Sequence, residues 1–156
     1  MKEHHYTINI KWTGDEGKGT KDYKSYNRNH SISNPSKYSE ILGSSDPSFR
    51  GDKTKYNPED LFLSSIASCH MLWYLHLCSV NQIVVTSYSD NATGTMEESK
   101  NGSGKFKEVT LHPLVTIQDE HQIKKAAELH SQANEMCFIA NSCNFKIGHE
   151  SKIIIA

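Results

Sequence analysis

Along this chain the spacing of apolar and polar residues changes several times, and each change predicts an element. Tyr6, Ile8, Ile10 and Trp12 alternate with His5, Thr7, Asn9 and Lys11, the two-residue period of a strand that buries one face. Gly14, Gly17 and Gly19 then make a loop, and residues 23–32 read as a second, more polar strand. Residues 1–33 are therefore predicted to form an N-terminal β-hairpin. Residues 34–56, rich in Ser, Pro, Asp, Gly and Lys, are expected to be a loop.

The periodicity then switches. From Leu61 to Val80 there is no Asp, Glu, Lys or Arg, and the run is preceded by Asn57-Pro58-Glu59-Asp60. An Asn that can accept from orphan amides, a Pro suited to the first helical position and two acids at the positive end of the dipole together predict a helix start. The helix over residues 57–80 carries apolar residues on every side, so it is expected to be buried, with Cys69 inside it. Ser64, Ser65, Ala67 and Ser68 are small enough to let another helix approach closely. Its length also matches a bilayer span. His70, His76, the serines and the strand periodicity on either side argue against that reading, so no membrane is expected.

Residues 83–117 predict strands: a β-branched run at 83–88, a second at 93–96, a turn at Asn101-Gly102-Ser103-Gly104, and a return strand at 106–117. Val109, Leu111, Val115 and Ile117 share one face of that strand, and Pro113 demands an edge position or a bulge. Asp119 to Gln122 fits the start of a second helix over 119–141, on which Ile123, Ala126, Ala127, His130, Ala133 and Cys137 recur at helical spacing. Cys137 is thus expected to face the core. A last strand is predicted within 145–155. This order predicts an α+β protein with an antiparallel sheet and two helices on one side, and the length of 156 residues fits a single domain.

A net charge of −1 with no dense Lys/Arg block gives no footprint for nucleic acid or an anionic membrane, leaving small molecules and proteins as expected partners. The first residues enter strand alternation without an apolar export segment, so a cytoplasmic location is expected. The four cysteines, Cys69, Cys78, Cys137 and Cys143, contain no C-x-x-C pair and no dense framework spacing, which favours redox chemistry over structural bridges. No metal site is expected: Cys69 and His76 share a helix face two turns apart, and Cys69 and Cys78 point to opposite faces.

Asn57-Pro58-Glu59-Asp60-Leu61 leading into Ser68-Cys69, with a second cysteine in Cys137-Phe138-Ile139-Ala140-Asn141-Ser142, resembles the OsmC/Ohr family of thiol peroxidases over nearly the whole chain. Residues 43–52 and 69–78 resemble an OsmC-like branch of it. The resemblance implies reduction of organic hydroperoxides in an intertwined homodimer with central buried helices and active sites at the subunit interface. It implies that Cys69 is the peroxidatic residue and Cys137 the resolving one, that no cofactor beyond an external thiol or dithiol reductant is used, and that an Arg–Glu pair assists the thiolate. Glu59 matches the glutamate by its place in the Asn-Pro-Glu motif. The chain has only two arginines: Arg50 lies just upstream of the motif, as in the OsmC-type branch, and Arg28 lies on the N-terminal hairpin, as in the Ohr-type branch. Arg50 is expected to assist Cys69. Arg28, His70, Trp73 and Phe138 are expected to line the substrate pocket, whereas Cys78 and Cys143 are expected to be packing residues.

The underlying chemistry is that of a thiolate attacking a peroxide oxygen to give a sulfenic acid, which a second thiol converts to a disulfide. A different class of function fits the same residues: a non-catalytic stress protein holding a small apolar ligand in an interface pocket.

Overall fold

The computed structural model describes residues 2–156 and divides into two compact units, residues 1–61 and residues 62–156. In the N-terminal unit, β1 (Asn9–Trp12), β2 (His30–Ser33) and β3 (Ile41–Gly43) form an antiparallel sheet in the order β1-β2-β3. The predicted hairpin is present, with Ile10 opposite Ile32 and Ile32 opposite Ile41. Two expectations are corrected here. The segment 34–56 is not all loop, because Leu42 and Ile41 pair with β2 and a 3₁₀ turn forms at Pro47–Phe49. A three-residue strand made by hydrogen bonding to a neighbour leaves no periodicity to read. Nor is the apolar face of β1 buried: Ile10 is 60% and Trp12 43% exposed, since no element of this unit covers the row Ile10–Ile32–Ile41. A Cβ at Gly43 would come within 2.3 Å of His30 Nε2, so any larger residue there would have to displace the His30 ring.

Helix α1 (Pro58–Val80) begins as predicted. Asn57 Oδ1 accepts from the Asp60 amide (2.7 Å) and Asp60 Oδ2 accepts from the Asn57 amide (3.2 Å), a reciprocal cap. By length and composition α1 could cross a membrane. Its buried residues, Ile66, His70, Tyr74 and Cys78, recur every fourth position, while Leu72 and Val80 are more than half exposed. So the helix is not buried on every side within one chain. One stripe enters the core and the opposite face is open.

The C-terminal unit holds two further sheets, β4 (Val85–Asp90), β7 (Pro113–Ile117) and β9 (Lys152–Ile155) in the order β4-β7-β9, and β5 (Thr93–Glu98), β6 (Gly104–Leu111) and β8 (Lys146–His149) in the order β5-β6-β8. The β5–β6 hairpin turns through Gly102 at φ 82°. The expected long strand 106–117 is two strands. Pro113 cannot donate to the ladder, and at His112–Pro113 the chain leaves one sheet and enters the other. The last segment likewise switches sheets, β8 pairing parallel with β6 and β9 parallel with β7, so the sheets are mixed rather than purely antiparallel. The architecture is α+β, as predicted. The second helix is also broken, into α2 (Ile123–Met136) and a single turn α3 (Phe138–Asn141), with Cys137 extended between them at φ −69°, ψ 110°.

Each sheet supports one apolar cluster. Val115, Ile117 and Ile83 pack with Tyr74, Cys78 and, from α2, Ala126, Leu129 and Ala133. Val109 and Leu111 pack with Ile66, Phe62, Phe106 and Phe145. The two clusters use different halves of α1, and Cys69 and His70 lie between those halves.

Candidate active site

Cys69 is half-buried on α1 and Cys137 is fully buried between α2 and α3, and both are free thiols. The break at Cys137 has a local cause: its sulfur caps the following turn by accepting from the Ala140 amide (3.4 Å), so the chain leaves the α2 helix where the thiol is needed as a cap. The Cys69 side chain neighbours Cys137 closely enough to influence the ionisation of its thiol. Burial, reinforced by Cys69, raises the Cys137 pKa above the ordinary thiol range, which keeps its proton in place at neutral pH. The other two cysteines sit differently. Cys78 is in the core cluster with Tyr74, and the Cys143 thiol donates to the Ile139 carbonyl (3.2 Å).

On the exposed side of α1, Leu72, Trp73 and His76 line a shallow concavity of about 300 Å³. They follow Cys69 by three, four and seven residues, and so share its face of the helix. Phe138, next to Cys137, meets Trp73 edge to face, with ring centroids 5.6 Å apart. A half-exposed thiol thus stands beside an apolar, aromatic shelf, an arrangement that can hold a small apolar molecule against sulfur.

On the inner side of α1 lies a group of histidines. His70 Nε2 and His130 Nδ1 are hydrogen-bonded at 3.0 Å with their rings nearly parallel, and both residues are at most 1% exposed. His149, at the end of β8, approaches both rings at 5.7–5.8 Å, and Tyr74 stacks on His130 at 3.8 Å. Burial, with some help from neighbouring His149, lowers the His70 pKa to about 4. Burial, then His70 and His149, lowers His130 to about 3. These rings are neutral at pH 7. Among the described residues no group of three or more His, Cys, Asp or Glu side chains is disposed to hold a metal ion.

Residues 51–151 match the family model described as OsmC-like protein. The chain belongs to the OsmC-like family. Among solved structures it is similar to an OsmC-like protein of unknown function from Vibrio cholerae, with 28% identity, a TM-score of 0.84, and 97% of this chain and 100% of that chain covered. It is also similar to an organic hydroperoxide resistance protein from Elizabethkingia anophelis (18% identity, TM-score 0.68, 99% and 100% covered). A third is an organic hydroperoxide resistance protein OsmC from Legionella pneumophila (20%, TM-score 0.66, 97% and 98% covered). The last two likenesses are of fold. No curated protein matches the chain.

Against this OsmC-like frame, the structure brings Cys69 and Cys137 together and sets Trp73 against Phe138. His70 does not line the concavity, because its ring points into the core and bonds to His130. Arg28, Arg50 and Glu59 belong to the N-terminal unit. Arg28 is sandwiched between the rings of Tyr23 and Tyr26, 4.2 Å from each, and donates to their carbonyls. Arg50 is exposed, with a left-handed backbone (φ 66°) that ends the 3₁₀ turn. Glu59 is half-buried in the first turn of α1. His149 was invisible to sequence reasoning, for it ends a short strand with no periodic signal. His70 carried a usable one: it is the polar member of the series Ile66, His70, Tyr74, Cys78.

Proposed function

We propose that this chain is a thiol-dependent peroxidase that reduces organic hydroperoxides to alcohols. The observation that carries the reading is the pairing of a half-buried Cys69 thiol with a fully buried Cys137 thiol. Cys69, as thiolate, attacks the distal oxygen of ROOH. The O–O bond breaks, the alkoxide takes a proton and leaves as ROH, and Cys69 becomes a sulfenic acid. The Cys137 sulfur then attacks that of Cys69, water leaves, and a Cys69–Cys137 disulfide closes. Two equivalents of an external thiol, or one of a dithiol, restore both thiols and are themselves oxidised. The raised pKa of Cys137 supports this division of labour, since it keeps the resolving thiol protonated until the sulfenic acid has formed.

The shelf of Leu72, Trp73 and His76, with Phe138 against it, suits the apolar part of a hydroperoxide. From the family resemblance, Arg50 and Glu59 stabilise the thiolate and Arg28 contributes to substrate binding. The working unit is a homodimer in the cytoplasm, and no cofactor other than the reductant is used. The exposed apolar residues Leu72 and Val80 of α1, and separately Ile10 and Ile41 of the N-terminal sheet, support the homodimer.

The apolar concavity also favours a second reading, a non-catalytic protein that binds a small apolar ligand at the interface. One experiment separates the two. Reduced protein is mixed with one equivalent of cumene hydroperoxide, thiol loss is timed, and the disulfide is mapped by mass spectrometry. The peroxidase predicts rapid loss of Cys69 and Cys137 together, no turnover in Cys69→Ser, and a first oxidation without recycling in Cys137→Ser. Reaction no faster than a free thiol's would favour ligand binding.

A further inference from the structure

The buried histidines sit where the two cysteine-bearing helices meet. His70 directly follows Cys69 on α1. His130 lies on α2 and precedes Cys137, which follows the end of that helix, by seven residues. Tyr74 stacks on His130 and packs with Leu129 and Ala133 of α2, and such apolar contacts are non-directional, so they tolerate sliding and rotation. The imidazole bond is directional and buried, where the low local dielectric strengthens it.

It also carries a cost. Whichever ring donates, His70 Nδ1 and His130 Nε2 are buried with no protein hydrogen-bond partner among the described residues. One of them is then an N–H without a protein acceptor, which costs stability. Two apolar residues of similar volume would fill the space without that cost. A buried polar pair that sacrifices stability is best attested where it fixes register.

We propose that the His70–His130 hydrogen bond is a clamp that fixes the register of α1 against α2, and thereby holds Cys137 in line to attack an oxidised Cys69. The imidazole bond ties α1 to α2 one residue after Cys69 and seven residues before Cys137, so it restrains the two helices against each other beside both thiols. Tyr74 from α1 and His149 from β8 hold the His130 ring in plane. No carboxylate contributes to the charge environment of either ring among the described residues, so the pair is neutral and stays bonded across the working pH range. His70 and His130 are positioning residues, acting through the geometry of the dithiol.

The inference rests on the two-cysteine reading, and the experiment separates the two. Full-length wild type, His130→Leu and His130→Asn are oxidised in single turnover by cumene hydroperoxide and, separately, by diamide, which closes a dithiol without a sulfenic acid. Trapping with dimedone times sulfenic acid formation, and intact mass times disulfide closure. His130→Leu keeps the volume and removes the bond; His130→Asn places an amide oxygen near the position of Nδ1. The clamp predicts that in His130→Leu sulfenic acid forms within about twofold of the wild-type rate while closure slows at least about tenfold with both oxidants, and that His130→Asn recovers most of the loss. Excess peroxide should then drive Cys69 of the Leu variant to the sulfinic acid.

A folded His130→Leu that closes at the wild-type rate overturns the clamp. So does an equal loss of both rates that Asn does not restore, which would mark a packing role. Should His130→Leu not fold, His130→Gln supplies the contrast, since its amide lies one methylene further out: slower closure than Asn supports the clamp, and equal closure overturns it. Wild type that closes with diamide but forms no sulfenic acid would sink the peroxidase and leave the clamp standing. Wild type that closes with neither oxidant overturns both.

Discussion

The two faces of α1 are drawn from the same charge-free run and have opposite fates. Ile66, His70, Tyr74 and Cys78 are at most 1% exposed, packed against two sheets and α2. Leu72 and Val80, on the other side, are 63% and 61% exposed. Absence of charge therefore identified a helix that avoids water all round, and not which side this chain covers itself. The inner face contains the His70–His130 bond, and the outer face contains the aromatic shelf. Cys69 lies at the boundary, half-buried, reachable by a small molecule and by Cys137.

The largest test of that contrast is Tyr74→Ala. Removing a fully buried ring stacked on His130 should cost about 3–5 kcal/mol of unfolding free energy by denaturant titration. A loss under about 1 kcal/mol would mean that the inner face is not the structural one.

A pH series comes next. The His70 pKa falls from 6.5 to about 4 on folding, so between those values the unfolded chain binds a proton that the folded chain does not. Stability should therefore be full above about pH 6.5 and fall as the pH drops toward 4, by about 3 kcal/mol from His70 alone. His130 acts in the same direction down to about 3. Unfolding midpoints measured from pH 7.5 to 4.5 should decline steadily, and a flat profile would show that the rings are solvated or charged in the folded protein.

The smallest effect on stability is expected outside. Leu72→Ser should change the unfolding free energy of the dissociated chain by no more than about 0.5 kcal/mol, while weakening self-association measured by sedimentation velocity. Unchanged association would remove the outer face from the proposed dimer.

Much of the fold was legible because local chemistry decided it. The Asn57–Asp60 cap, Pro58, the start of α1 and the β5–β6 turn at Gly102 each follow from what nearby side chains do to the backbone. Both candidate cysteines were legible as well, one from the charge-free run and one from helical spacing. What failed to show were features made by partners distant in sequence. The three-residue β3 exists only through β2, and the breaks at Pro113 and Cys137 are set by which sheet or cap receives the next residues.

By itself the sequence determined the α+β class, the central helix and the two thiols, because periodicity, capping and the avoidance of water act over a few residues. The tertiary structure alone decided that Cys69 and Cys137 meet, that His70 turns inward to His130 and His149, and that half of α1 stays open. Those outcomes depend on three-dimensional register between α1, α2 and β8, elements up to 80 residues apart, and no local pattern encodes it.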